Sequence, residues 1–467
     1  MTLSTATGTP RTGPPLDNDP IPPGPSRGRW VEHWDVEDEQ FWRSTGRVVA
    51  RRNLVWSILA EHLGFSVWML WSIVAVQMTA NPVTGAAAAS GWALTPSQAL
   101  WLVAVPSGVG AMLRLPYTFA VPAFGGRNWT VVSALALLVP CLALAWVVER
   151  PSTPYGVLLL VAASAGLGGG NFASSMANIS FFYPEREKGW ALGLNAAGGN
   201  IGVAVVQKVV PLLVVAGGGV ALSRAGLFYV PLAVAAAVLA FFFMDNLREA
   251  KADVGATAGA ARRGQTWLVS FLYIGTFGSF IGYSSAFPTL LKTTFGRPDV
   301  ALTWGFLGAL VGSLSRPLGG RIADRAGGAR VTAVAFAVMA AASVGALISL
   351  QHKQIEVFFA SFIVLFLATG VGNGSTYRMI PALFSAAARD RGDDAVTGRR
   401  EAAGALGIAS AVGGFGGFLV PICYAWSNTA TGSIEPALQF YLGVFAVMFV
   451  VTWLAYLRPG RGAGRAV

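Results

Sequence analysis

The sequence predicts an all-α polytopic membrane protein, with twelve transmembrane helices arranged as two six-helix halves. Three observations carry that prediction. Hydrophobic residues make up 54% of the 467 and charged residues only 12%, a balance outside that of soluble domains. Apolar windows of about 20 residues, the length that spans a bilayer, recur along the chain. Short glycine- and arginine-bearing patterns in the first half return in the second.

Taken in order, residues 1–50 are rich in proline, glycine and charge and lack an apolar core. They read as a disordered tail and not as a cleaved signal peptide. Spans follow near 53–78, 96–120, 129–148, 155–182, 190–215 and 225–244, giving an N-terminal half over 51–244. A polar connection at 245–265 divides the halves. Spans near 266–290, 301–320, 331–350, 355–385, 402–424 and 435–457 give a C-terminal half over 266–457, and 458–467 is a short tail. Four basic residues, Arg114, Lys208, Arg316 and Arg378, lie at or in spans. Of the other lysines and arginines, only Arg150, Arg224, Lys292, Arg297 and Lys353 fall in loops on the side away from the termini. Basic loops stay in the cytoplasm, so both termini and the linker are expected there. The same dispersion accounts for the net charge of +11 without nucleic acid. Cys141 and Cys423 fall in apolar runs, and no disulfide is expected.

The repeat is readable in detail. Gly110-Ala-Met-Leu-Arg114-Leu-Pro116 in the second span is answered by Gly312-Ser-Leu-Ser-Arg316-Pro317 in the eighth. Ala191-Leu192-Gly193 with Gly198-Gly199 in the fifth is answered by Ala405-Leu406-Gly407 with Gly413-Gly414 in the eleventh. Gly166-Leu-Gly168 in the fourth matches Gly370-Val-Gly372 in the tenth. Small residues at such spacing let helix backbones approach closely.

Arg114 and Arg316 are the sharpest chemical signal. A central arginine costs about 2.5–3.5 kcal/mol on insertion scales, so it faces a cavity and has a partner. Snorkelling to the interface is the bland alternative, but each arginine sits several residues before its helix end and the two are matched. A guanidinium is a planar fork that keeps its charge, suited to an oxygen-rich anion. Asn195 and Asn200 can donate amide hydrogens. Phe172 and Tyr377 can cover a flat ligand, and Tyr273 can donate through its hydroxyl. Glu61 is the carboxylate well inside a span, and beside His62 it is a candidate proton carrier; a neutral or hydrogen-bonded glutamate is the competing reading. The run Gly319-Gly320-Arg321-Ile-Ala-Asp324-Arg325 reads as the connection between spans eight and nine, where Arg321, Asp324 and Arg325 can latch helices as a gate. No His/Cys metal spacing, nucleophile–base arrangement or phosphate loop is present, so neither an enzyme nor a cofactor is expected.

With these residues in place, the chain from about 40 to 457 resembles the nitrate/nitrite porter family of the major facilitator superfamily. GGGNFASSMANISFFYP with GWALGLNAAGGNIG, ending at Gly202, looks like the first nitrate signature of that family, and ALGIASAVGGFGG at 405–417 resembles the second. The chain departs from the family pattern at Ala196, a glycine there, and at Tyr377, a phenylalanine there. The resemblance implies twelve spans with an anion held at midplane between the halves. It implies that Arg114 and Arg316 grip nitrate or nitrite, that Asn200 and Tyr273 hydrogen-bond it, that Phe172 and Tyr377 cover its faces, and that Gly407 and Ser410 line the eleventh span. A bacterial inner membrane and a monomer are expected. The paired arginines alone favour nitrate/nitrite exchange; Glu61-His62 tips the expectation to nitrate/proton symport. A carrier of another small or organic anion, and a non-transporting anion sensor, are the rivals.

Overall fold

The computed structural model describes residues 29–250 and 253–458. The twelve windows become twelve helical runs, several of them longer than the apolar stretch that marks them. They are α1 (Glu39–Met78), α2 (Pro96–Phe124), α3 (Gly126–Val147), α4 (Tyr155–Phe182), α5 (Glu185–Val215) and α6 (Ser223–Phe243) in the first half. In the second, α7 runs from Gly264–Tyr273 through a π-helical turn at Ile274–Gly278 into Ser279–Phe295. It is followed by α8 (Phe306–Ala326), α9 (Gly328–His352), α10 (Ile355–Arg391), α11 (Val396–Thr431) and α12 (Glu435–Leu457).

Local sequence sets these ends. Thr95 accepts from the Gln98 backbone N–H at 3.2 Å while the Gln98 side chain accepts from Thr95 N–H at 2.9 Å, and Pro96 opens the first turn of α2. That reciprocal cap satisfies two donors that a helix start leaves orphaned. Gly392, at φ 78°, closes α10 in the left-handed region. Among the described residues ten helices are long and apolar enough to cross a membrane. The exceptions are α7, rich in glycine and hydroxyl side chains, and α8, which carries Arg316, Arg321, Asp324 and Arg325. Arg316 of α8 and most hydroxyl side chains of α7 are buried in the bundle, whereas Arg321, Asp324 and Arg325 lie in the exposed last turns of α8.

Within the first half, α1 packs on α4 and α5, and α2 on α4; within the second, α8 and α9 pack on α10. The halves meet where α2 lies against α11, α5 against α8, and α7 against α1 and α2. Trp30–Val31 and Asn246–Leu247 form a two-residue parallel strand pair, and Gln265 donates to the Tyr456 hydroxyl at 2.8 Å. The N-terminal segment, the linker and the end of α12 are therefore at one end of the bundle, here the termini end.

Three expectations change. The disordered tail at 1–50 gives way from residue 29 onward to ordered chain strapped onto the first half; residues 1–28 and 459–467 lie outside the described residues. Asp245, buried, accepts from Arg29 at 2.8 Å, from Arg52 at 2.5 Å and from Asn53 at 2.9 Å. The indole N–H of Trp34 donates to the Phe181 carbonyl and that of Trp42 to Glu187. The charge that argued for a disordered tail is spent instead, together with the tryptophans, on specific contacts. Second, Arg321, Asp324 and Arg325 belong to the last turns of α8 and not to a connection, since a helix continues past its apolar window into water. Third, Lys292 lies inside α7, 6% exposed, and not in a loop. The linker itself is structured in part: a short helix, Val254–Ala261, packs on α11, beside Glu401, which accepts from both Arg263 and Arg391.

Candidate functional site

Arg114 and Arg316, placed by α2 and α8 of opposite halves, come together around one cluster of rings. Arg114 is 1% exposed and Arg316 6%. The Arg114 guanidinium carbon lies 4.7 Å from the centre of the Phe172 ring, 4.7 Å from that of Phe277 and 5.6 Å from that of Trp68. The Arg316 carbon lies 5.7 Å from the Phe172 ring and 5.5 Å from that of Tyr377. Both cations thus share the face of Phe172, and the negative faces of the rings partly offset their charge.

Three ring contacts hold this arrangement. Tyr273 stacks on Phe277 at 5.2 Å and 14°, Phe277 stacks on Phe172 at 6.1 Å and 25°, and Tyr377 leans on Tyr273 at 6.2 Å. The π-helical turn in α7 is where Tyr273 and Phe277 both turn inward; such turns widen the helix locally and concentrate at functional positions. Gly413 in α11 makes room for this, because a Cβ there would come within 2.5 Å of the Tyr273 ring.

The polar atoms of the cluster are largely uncommitted. Arg114 donates through one Nη1 to the Ser410 carbonyl at 2.9 Å and to its hydroxyl at 2.8 Å. Its Nε and Nη2, the Nη1 of Arg316, the Tyr273 hydroxyl and both side-chain atoms of Asn200 find no partner among the described residues, though all are buried. Neither arginine meets a carboxylate among the described residues. Buried donors are normally satisfied, and an uncompensated buried charge is costly. Two cations with spare N–H groups, one from each half, and a phenol beside them fit a small anion with several acceptor oxygens.

Gly193 and Gly407, matched in the repeat, lie on the Asn200 and Ser410 faces of α5 and α11; a Cβ at either would meet nothing within 4 Å. Both lie on the termini side of the site, where the space beside each is unfilled by the described residues. Phe277 and Trp68 escaped sequence reasoning. Each is one aromatic among many in an apolar span, without periodicity to single it out.

Comparison with known proteins fits this geometry. Residues 54–421 match the profile of the Major Facilitator Superfamily. The chain is 40% identical over 455 residues to the nitrate/nitrite transporter NarU of Salmonella typhimurium, covering 92% of this chain and 96% of that one. It is 33% identical to the probable nitrate/nitrite antiporter NarK2 of Thermus thermophilus, covering 93% and 98%. This chain is a member of the nitrate/nitrite porter family of the major facilitator superfamily. Among solved structures, a D-xylose-proton symporter superposes with a TM-score of 0.65 at 16% identity, covering 86% of this chain and 96% of that one. That likeness shows the twelve-helix fold. No enzyme is implied by the family or the fold.

In this family member a second polar cluster lies within the first half. Glu61, fully buried on α1, accepts from the Asn195 amide at 2.7 Å, and the same amide donates to Ser175 at 2.6 Å. The other Glu61 oxygen finds no partner among the described residues. Gly199 permits this placement, since a Cβ there would fall within 2.3 Å of that oxygen. His62 also faces α5, its Nδ1 3.1 Å from the Gly198 carbonyl, but shares no hydrogen bond with Glu61 among the described residues. The contrast with the other buried acids is informative: Asp245 and Glu401 each hold two arginines, and Glu61 holds none.

Of the gating residues, Asp324 pairs with Arg378 of α10 at 2.6 Å on the exposed termini end. Arg321 and Arg325 are exposed and make no ion pair with the described residues. Asp324 therefore ties α8 to α10 within the second half, and Arg378 supplies the partner.

Proposed function

We propose that this protein is a secondary active transporter of nitrate and nitrite in a bacterial cytoplasmic membrane, with both termini cytoplasmic. The observation that carries the reading is the pair of buried arginines, one from each half, with spare donors and no carboxylate. The names of relatives at 40% and 33% identity support the same substrates. The scarcity of lysine and arginine in loops away from the termini supports the orientation.

The site supplies a reason for coupling. Nitrate is flat, singly charged and carries three acceptor oxygens. Arg114 Nε and Nη2, Arg316 Nη1, the Asn200 amide and the Tyr273 hydroxyl supply donors to its edges, and the Phe172 and Tyr377 rings cover its faces. Without an anion, two guanidiniums in a low-dielectric core repel each other. The halves then resist closing over an empty site, and the loaded form is the one that exchanges between its inward and outward faces.

The direction of flow rests on Glu61. An anion entering a negative cell works against about 2.3 kcal/mol per 100 mV, and co-transport of protons offsets that. Glu61, buried and without a cationic partner, is the residue suited to carry one, so nitrate/proton symport is the preferred mode. Exchange of nitrate for nitrite is the second reading, favoured by the antiporter name of the Thermus relative. Uptake into vesicles without internal substrate, with and without an inward proton gradient, separates them. Accumulation driven by the gradient and lost in Glu61→Gln is the expected result; uptake that waits for internal nitrite or nitrate overturns symport.

A further inference from the structure

At the end opposite the termini, the halves are joined by a reciprocal pair of helix caps. Lys292, near the C-terminus of α7, reaches across to the end of α1, where its Nζ donates to the Val76 carbonyl at 2.8 Å and the Thr79 carbonyl at 2.6 Å. The last carbonyls of a helix lack intrahelical partners and lie at the negative end of its dipole, so an ammonium is well placed there. In return Asn81, just past α1, donates to the carbonyl of Gly296, the residue that closes α7, at 3.1 Å. The Asn81 oxygen accepts from the Val83 and Thr84 N–H groups, which fixes the amide in place. Lys208 makes a related reach in the opposite direction, from α5 to the second half. Its Nζ lies 3.5 Å from the Thr303 carbonyl and 4.9 Å from the centre of the Phe306 ring.

We propose that Lys292 alternates between two partners: the α1 carbonyls when this end is closed, and the incoming anion when it opens. The proposal rests on the reading of the chain as an anion carrier. Its logic is in the choice of acceptor. Carbonyls are neutral, so they satisfy the ammonium N–H groups without cancelling its charge. When α1 and α7 separate, the released ammonium faces the open mouth together with Lys208, and the carbonyls it leaves carry no charge to neutralise it. A latch built from lysine and glutamate would hold as well but would leave a carboxylate at the mouth, repelling nitrate. Cations lining a cleft raise the local concentration of anions and their rate of entry, an effect that salt screens. Lys292 is thus a recruiting residue for the outward face, distinct from the arginines that hold the anion at the centre.

The test uses the full chain in bacterial cells that lack another nitrate carrier. Two readouts are taken: the external KM for nitrate at low and high ionic strength, and the labelling rate of Ser97→Cys by a membrane-impermeant thiol reagent, with Cys141 and Cys423 replaced by serine. The Ser97 hydroxyl lies between the halves at this end, 2.9 Å from the Thr429 hydroxyl. Lys292→Met is expected to label faster, to raise the low-salt KM on the order of tenfold, and to flatten its salt dependence. Lys292→Arg keeps the wild-type salt dependence. Asn81→Ala, which removes the reciprocal cap and leaves the ammonium, labels faster with the salt dependence intact; it also serves where Lys292→Met does not fold. Unchanged labelling in Lys292→Met and Asn81→Ala overturns the latch. A KM in Lys292→Met that matches wild type, or rises equally at all ionic strengths, overturns recruitment. Absence of nitrate and nitrite uptake by wild type overturns the carrier reading instead, while the labelling still decides the latch.

Discussion

At the scale of single residues, the buried core holds hydrogen-bond donors that the described residues leave unused. Asn200 is buried with both amide atoms free among the described residues. Replacing it with alanine removes one donor to the anion, worth about 1.5–3 kcal/mol for a bond to a charged group, so nitrate affinity is expected to fall roughly ten- to hundredfold. Equilibrium titration of the purified protein reads this, and unchanged binding assigns Asn200 to packing. Gly199→Ala acts on the other cluster. Its Cβ cannot coexist with the Glu61 carboxyl where it now sits, so α1 and α5 must part or Glu61 must turn. A lower Tm together with lost proton dependence is the expected outcome; a wild-type Tm and wild-type uptake contradict the close approach. Both arginines, Asn200, Phe172, Tyr273 and Tyr377 were legible as polar or paired residues in an apolar, repeated frame. Phe277 was not, because what singles it out is its stacking on Phe172 of another helix, beneath Arg114, which no spacing along the chain encodes.

At the scale of elements, sequence located the helices by apolarity and so measured the part that meets lipid, not the part that is helical. α10 continues to Arg391 and α8 through Arg325 because their last turns stand in water, where charged residues are good helix formers. The same rule misplaced Lys292, whose charge looked like a loop signal although its ammonium is satisfied inside the bundle by the carbonyls of α1. The N-terminal strap was hidden for a different reason: its contacts are long-range, from Arg29 to Asp245 and from Trp34 to Phe181, and composition cannot reveal a partner so far along the chain. Asp245→Asn tests that element. It leaves Arg29 and Arg52 without their carboxylate; because both are about a third exposed, water recovers part of the loss, and about 1–3 kcal/mol of stability is expected to go. Limited proteolysis near residues 29–46 should become faster, and an unchanged digestion pattern contradicts a strap held by this hub.

At the scale of the whole molecule, two matched halves place one arginine each on a shared aromatic face, so the site exists only where the halves meet. In the proposed function an anion bound there draws the halves together, which is how a small ion would drive a large rearrangement. The fold and the family were readable from repeated motifs because repetition fixes architecture without any side-chain detail. Which end of the bundle is open was not readable, since both faces of an alternating carrier are written into the same sequence. The most direct measurement is nitrate and nitrite uptake into vesicles by wild type, Arg114→Lys, Arg316→Lys and the double variant, at equal amounts of inserted protein. Lysine keeps the charge and loses the planar fork, so each single variant is expected to lose transport by at least about tenfold, and the double variant to be little worse than either. Wild-type uptake by either single variant would contradict an anion held between the two arginines.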